Sequence, residues 1–396
     1  HNLVDLEIEI INKSKWGYGI WKQNNSHLEN KNYIETVKIF INRFKQAAVG
    51  DIVTDWENLK KEIKDLTKFY SRIERERGIW VQKSFSEIQQ KENPHTIQDK
   101  LIIQQWEELE KKKLKGVKIR AGKFSNLYNK GRGLYRRLEL KRGKQKKIDE
   151  MNLGGEIVKD KQKILKGIKE YYTNIFKSQQ IEVENIKKYI QETKYNKIGT
   201  EDKENCEKYI TVEEIKNAII SLKKGKSPGS DGLTNDFYIT FKDDLVDILE
   251  LLYNNILLNG EMPKTLREGI ITLIYKGKGE RNDLKNMRPI TLLNVDYKIL
   301  SKIITNRIRK CLNNIIDFNQ SCGGVGRKIV NNTLSISAII DLIQSKNEKA
   351  IMFLFDQEKA FDRIEHEFIF HTLEKCGFGI NLINWIEQCI EILPQK

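Results

Sequence analysis

The segment AIMFLFDQEKAFDRI (350–364) carries the strongest chemical signal in the chain. Its apolar run from Ala350 to Phe355 reads as a buried strand that ends abruptly on Asp356. A carboxylate delivered at the rim of a sheet suits a hard cation such as Mg²⁺, which takes oxygen ligands and gains from having them rigidly held. An Asp at a strand-to-helix turn also serves as an ordinary helix cap. The segment by itself leaves both readings open.

The elements that would position such a turn lie around it. Gly269 to Tyr275 (GIITLIY) is another short β-branched run and predicts a second buried strand. Helices are expected at about 235–258, 295–315 and 329–345, and two more near the end. Thr211 and Glu214 have capping-box spacing, with Val212, Ile215, Ile219 and Leu222 as an apolar stripe. The stretch 223–232 is rich in turn formers and reads as loop. Gly225, Gly229 and Gly232 shape it, and no strand–loop–helix pattern makes it a phosphate cradle. Asp243 and Asp244 fall inside the predicted 235–258 helix and read as a solvated face, not a metal site.

Upstream, Ile34, Val37, Ile41 and Phe44 line one side of a helix. A longer helix from Trp56 to Glu92 carries Leu59, Ile63, Leu66, Phe69, Tyr70 and Ile73 at helical spacing, with Pro94 as its breaker. Five of the six Trp lie in this part, which points to packing rather than a loose linker. A turn at 152–155 precedes a helix to about Phe176, and the polar stretch 178–204 is the expected domain boundary. Helices before residue 205 and mixed elements after it give an α+β class.

Charge is concentrated. Of a net +15, residues Glu110 to Lys147 hold +14, from eleven Lys and five Arg against two Glu. A basic block on an otherwise balanced chain points to a polyanion, nucleic acid first. At 39% hydrophobic the chain can build cores, so it is not a disordered tail. No apolar run is long enough to suggest a membrane span, so no membrane partner is expected, and the start is not a signal peptide. The five Cys lack metal-ligand spacing, which suggests a reducing compartment and no zinc site.

Five blocks follow one another in order: KSPGSDGL (226–233), YKGKG (275–279), RPITLLN (288–294), NQSCGGVGR (319–327) and FDQEKAFD (355–362). The series resembles the reverse transcriptases of LINE-type retrotransposons, elements without long terminal repeats. It covers about Ile210 to Ile392, and extends more weakly upstream through 134–148. The resemblance implies right-hand polymerase fingers and a partial palm over 205–396. A hairpin and helix linker would occupy 151–204, and a helical connector 13–150, with its basic block at 110–147. Residues 1–12 would be the tail of an endonuclease domain, with His1 its catalytic histidine; a chance His is the plain alternative.

The implied activity is RNA-directed DNA synthesis with two Mg²⁺ ions, a template RNA, a nicked target DNA as primer and deoxynucleoside triphosphates. Asp356 matches the first catalytic aspartate, a ligand of both ions, and the Gln357 carbonyl a further ligand. Phe361 matches the aromatic that excludes a ribose 2′-hydroxyl; unaided it reads as a core Phe beside Ile364 and Phe368. Arg288 and Lys276 match residues that bind the incoming triphosphate, where a guanidinium fork suits phosphate oxygens. Gly326 and Arg327 match a motif near the template.

The chain departs from the family pattern in three places, one of them the expected absence of a thumb. An aromatic–x–Asp–Asp block is not found before Lys396, so these 396 residues alone are expected not to polymerise. A truncated palm would expose an apolar strand edge prone to association. Gly323 and Val325 stand where the family usually has an aromatic and a proline. A non-catalytic RNA-binding remnant of such an element is the alternative.

In the basic block, Arg120, Arg132, Arg136, Arg137, Lys141, Arg142 and Lys144 would track RNA phosphates, with Phe124, Tyr128 and Tyr135 interleaved for stacking. A solvated linker is the bland reading. KRGKQKK (141–147) also fits a nuclear-import signal, which gives an expected location in cytoplasm and nucleus. If the block binds RNA, affinity falls steeply with salt, by roughly one log–log unit per neutralised phosphate. Replacing Arg136, Arg137, Lys141 and Arg142 together with Ala should flatten that slope in a filter-binding titration. An unchanged slope removes the connector from the binding surface.

Overall fold

The computed structural model describes residues 21–47, 50–90, 96–121, 148–178 and 181–391, and the chain divides into two compact units. One comprises residues up to Lys61, Gly167–Thr272 and Ile290 onward; the other comprises Glu62–Lys166 and Leu273–Pro289. His1 and the whole 1–12 segment lie outside the described residues, as does 122–147 of the basic block.

The described residues are mostly helical with a few short strands, an α+β composition. In the first unit α1 (Lys31–Ala47) buries Tyr33, Val37 and Ile41; of the stripe read from the sequence, Val37 and Ile41 are buried and Ile34 and Phe44 half-buried. The start of α2 (Ile52–Ile88) adds Trp56 and Leu59. In the second unit, Phe85 of α2 stacks on Trp106 of α3 (Ile97–Ala121), with ring centroids 4.0 Å apart. Phe69, Ile73 and Trp80 of α2 are largely exposed, so the apolar stripe is buried over only part of its length. A hairpin of β1 (Met151–Leu153) and β2 (Glu156–Val158) pairs Asn152 with Ile157. Helix α4 (Lys161–Phe176) follows.

The polar stretch 178–204 contains two helices, α5 (Val183–Glu192) and α6 (Thr200–Glu207), and lies wholly inside the first unit. Ile186 and Ile190 bury one side of α5, enough to hold a helix whose other faces are polar. Helix α7 (Val212–Ile220) starts on the expected capping box, with Thr211 and Glu214 bonded reciprocally. The single helix expected at 235–258 is two, α8 (Asn235–Thr240) and α9 (Lys242–Asn259). Phe241 leaves helical dihedrals between them and is itself fully buried. Gly260, at φ 68°, ends α9 in the left-handed conformation that glycine adopts freely. Asp243 and Asp244 lie in its first turn; Asp244 faces Lys38 at 3.9 Å, consistent with a helix-face role.

Strands β3 (Gly269–Tyr275) and β4 (Met287–Leu293) pair with each other. The strand read from GIITLIY therefore forms, although Ile274 is half exposed and the element is not wholly buried. Helices α10 (Val295–Ile315) and α11 (Ile329–Ser345) occupy the predicted spans, followed by α12 (His366–Lys375) and α13 (Ile380–Glu391).

The buried strand expected at 350–355 does not form. The segment is exposed, with Phe355 94% accessible, and every described residue of α11 is unburied too. A strand needs a neighbour for its N–H and C=O groups, and no described strand pairs with this one. Among the described residues no helix is long and apolar enough to cross a membrane.

The first unit is fastened by Arg307 of α10. Its guanidinium pairs with both oxygens of Glu214, at 2.7 and 2.8 Å, and donates to the carbonyls of Cys206, Lys208 and Tyr209. One buried cation thus joins α10 to α7 and to the C-terminal end of α6. Arg307→Met, which strands these acceptors, should cost about 3–5 kcal/mol. Thr211→Ala, which removes only a cap, should cost about 1 kcal/mol. Urea denaturation of the two variants side by side checks the ranking.

Candidate functional site

The Asp356 turn is presented to solvent. Asp356 and Gln357 are both exposed, and the backbone then turns through Lys359 at φ 53°, a left-handed conformation unusual for a side-chain-bearing residue. A short 3-10 turn, Ala360–Asp362, follows, with Phe361 94% exposed. The reading of Phe361 as a core residue is therefore incorrect: its ring has no burying neighbours.

Two contacts from α4 and the residues just after it hold this turn. Lys359 Nζ donates to the Tyr171 hydroxyl at 3.0 Å and lies 4.8 Å from the Tyr171 ring centre. Ser178 Oγ donates to Glu365 Oε2 at 2.8 Å. Burial, with smaller contributions from Tyr171 and Asp362, pushes the Tyr172 hydroxyl up to about 12. The left-handed turn is thus fixed by side chains more than 180 residues away in sequence.

The turn does not by itself hold a metal. Among the described residues no group of three His, Cys, Asp or Glu could bind one. A Mg²⁺ ion needs a fuller oxygen set, so the residues present do not fit the two-ion centre.

Lys276 and Arg288 come together on the β3–β4 hairpin. The Lys276 N–H donates to the Asn286 carbonyl at 2.8 Å, two residues before Arg288, and both side chains are exposed. The Lys276 ammonium is bonded to the Lys285 carbonyl at 2.6 Å. Arg327 points back into its own loop, donating to the carbonyls of Ile316, Asp317 and Gln320, while Gly326 turns at φ 76°. Arg120 lies in the last turn of α3. Arg132, Arg136, Arg137, Lys141, Arg142 and Lys144 lie outside the described residues.

No motif in the sequence marks the buried polar cluster around Lys60. Lys60 of α2 is 4% exposed, and its ammonium lies 2.7 Å from Asp296 Oδ2 and 3.4 Å from Asp231 Oδ2. It also donates to Thr265 Oγ1, and Thr265 in turn donates its N–H and hydroxyl to Glu57, each at 2.8 Å. Trp56 Nε1 donates to Asp296 Oδ2 at 3.0 Å, and the Tyr253 hydroxyl to the Asp296 carbonyl at 2.8 Å. Burial acts to depress the Lys60 ammonium, but Asp296, Asp231 and Glu57 outweigh it and hold it above the usual lysine value. Burial pushes the Asp231 carboxyl up to about 6; Lys60 opposes that shift and Asp296 adds to it.

Around this cluster the 226–233 loop folds as its glycines require. Gly232 sits at φ 79° against the Trp21 ring and carbonyl, where no Cβ fits. A Cβ on Gly229 would come within 2.5 Å of the Asn294 nitrogen and 2.6 Å of the Leu293 carbonyl carbon. The glycines shape a turn, as read from the sequence. Asp231 could have been suspected from its place inside KSPGSDGL; Lys60, one lysine in a charged helix, carried no sequence signal.

Residues 275–396 match the family model described as reverse transcriptase (RNA-dependent DNA polymerase). Over 98% of its length the chain is 26% identical to an uncharacterised 149 kDa protein of transposon TX1 from Xenopus laevis, covering 30% of that protein. Over 40% of its length it is 29% identical to the RNA-directed DNA polymerase of mobile element jockey from Drosophila melanogaster, covering 17% of it. Over 45% it is 27% identical to the Pol polyprotein of the type-1 retrotransposable element R2 from Nasonia vitripennis, covering 16%. The C-terminal part of the chain is therefore a reverse transcriptase domain, and the resemblance to LINE-type elements stands. The chain spans less than a third of the length of each of these relatives.

The raised Asp231 carboxyl has a signed consequence. Because its pKa is higher folded than unfolded, the stability it contributes is complete below about pH 4 and is lost as pH rises through about 6. Asp231→Asn should remove that fall. Urea midpoints of the two proteins between pH 4 and 7 test this; parallel curves would show that Asp231 does not titrate in this window.

Proposed function

We propose that the chain is part of the RNA-directed DNA polymerase of a LINE-type retrotransposon, comprising a helical basic connector, the fingers and the first part of the palm. The observation that carries this reading is the reverse transcriptase domain at 275–396, within which Asp356 ends an apolar run at a fixed, solvent-facing turn.

In this reading Asp356 and the Gln357 carbonyl would hold a divalent metal only together with further ligands, since among the described residues no group of three His, Cys, Asp or Glu could bind one. Arg288 and Lys276 face solvent on one hairpin and meet the triphosphate oxygens, Arg288 with a two-pronged fork. Phe361 offers an exposed ring as the wall that favours a deoxyribose. Gly326 and Arg327 order the loop beside the template, since the guanidinium is spent on that loop's own carbonyls. The connector lysines and arginines track template RNA, and target DNA supplies the primer end.

The test uses a polypeptide that continues past Lys396 through an aromatic–x–Asp–Asp block, assayed for extension of a DNA primer on an RNA template with deoxynucleotides and Mg²⁺. Asp356→Asn should lower the rate at least about a hundredfold, the larger loss seen even for residues that only support a metal ligand. Full activity in that variant would overturn the assignment of Asp356. RNA binding without extension by the parent polypeptide would favour a non-catalytic remnant.

A further inference from the structure

Lys60 lies outside the matched domain and in none of the five ordered blocks, yet three segments of the first unit converge on its ammonium. Asp231 comes from the 226–233 loop, Thr265 from the turn before β3, and Asp296 from the first turn of α10. Asn294 ties the same three together. Its side-chain oxygen accepts the Asp231 N–H at 3.1 Å, and its amide donates to Ser230 Oγ at 3.1 Å and the Thr265 carbonyl at 2.6 Å. Asn294 directly follows β4, the strand that carries Arg288.

A lysine at this point solves a charge problem. Asp231 and Asp296 are buried together, and two carboxylates sharing a buried site repel unless a cation lies near them. Packing alone would be served by an apolar side chain. An ammonium reaching both carboxylates makes the position of α2 a condition for the loop and the β4–α10 junction to occupy one arrangement.

We infer that Lys60 is a positioning residue for the nucleotide-binding side of the polymerase: its buried ammonium clamps the 226–233 loop to the end of β4, and so makes the α2 helix a required part of that side. The clamp itself rests on geometry; its effect on nucleotide binding rests on the polymerase reading above.

The test is hydrogen exchange on the full chain, for the parent, Lys60→Met, Asp231→Asn and the double variant. Lys60→Met should raise exchange at least about tenfold in 226–233 and 290–297, through local opening, with little change in α12. The double variant should return toward the parent, because removing one carboxylate relieves the uncompensated charge. Relief by charge removal would not occur if Lys60 only filled space. Should Lys60→Met fail to fold, a folded double variant still supports the clamp, and an unfolded one overturns it. Unchanged exchange in the two segments, or damage that Asp231→Asn does not relieve, also overturns it. In the extended polymerase, Lys60→Met should raise KM for deoxynucleotides more than it lowers kcat. A parent without primer extension would refute the polymerase reading while leaving the exchange result to decide the clamp.

Discussion

Two carboxylates buried beside each other, Asp231 and Asp296, constrain how the first unit can pack. Asp231 and Asp296 are each almost wholly out of water, and the ammonium of Lys60, reaching in from α2, lies within 3.4 Å of both. Breaking such a set is costly because the remaining charges have nowhere to be solvated. The partners are consequently locked together: Trp56 donates to Asp296, Tyr253 holds its carbonyl, and Asn294 reads the position of the loop. Arg307 applies the same device elsewhere in the unit, replacing water for Glu214 and for three carbonyls with one guanidinium.

The Asp356 turn is held quite differently. It is exposed, bent through a left-handed Lys359, and steadied by Tyr171 and Ser178 at its rim. An interior scaffold kept rigid by desolvated charge and a carboxylate left open to solvent are compatible demands. The first fixes where strands and loops end, and the second leaves the Asp356 carboxylate accessible.

Much of the helical framework was legible. Helices α10 and α11 occupy their predicted spans because their apolar spacing repeats over many turns. The Thr211–Glu214 box was readable because capping depends on residues three apart. Where the reading failed, a distant partner was decisive. The run at 350–355 has the composition of a buried strand, but a strand exists only where another pairs with it. Phe361 has helical neighbours in sequence that would have buried it, yet its ring stands in solvent. The 178–204 stretch looked like a boundary because polarity hides short helices with only two buried residues.

The resemblance to the family is legible in the order of the five blocks, and so are the turn residues, since only glycine suits the backbone at Gly232. The sequence by itself also determined where charge accumulates. That Lys60 lies between Asp231 and Asp296, more than 170 residues away, becomes visible only once the chain is folded. Local spacing records which face of a helix is apolar. It does not record which charge on that helix meets a carboxylate from another segment, because that pairing is set by burial after the chain has closed on itself.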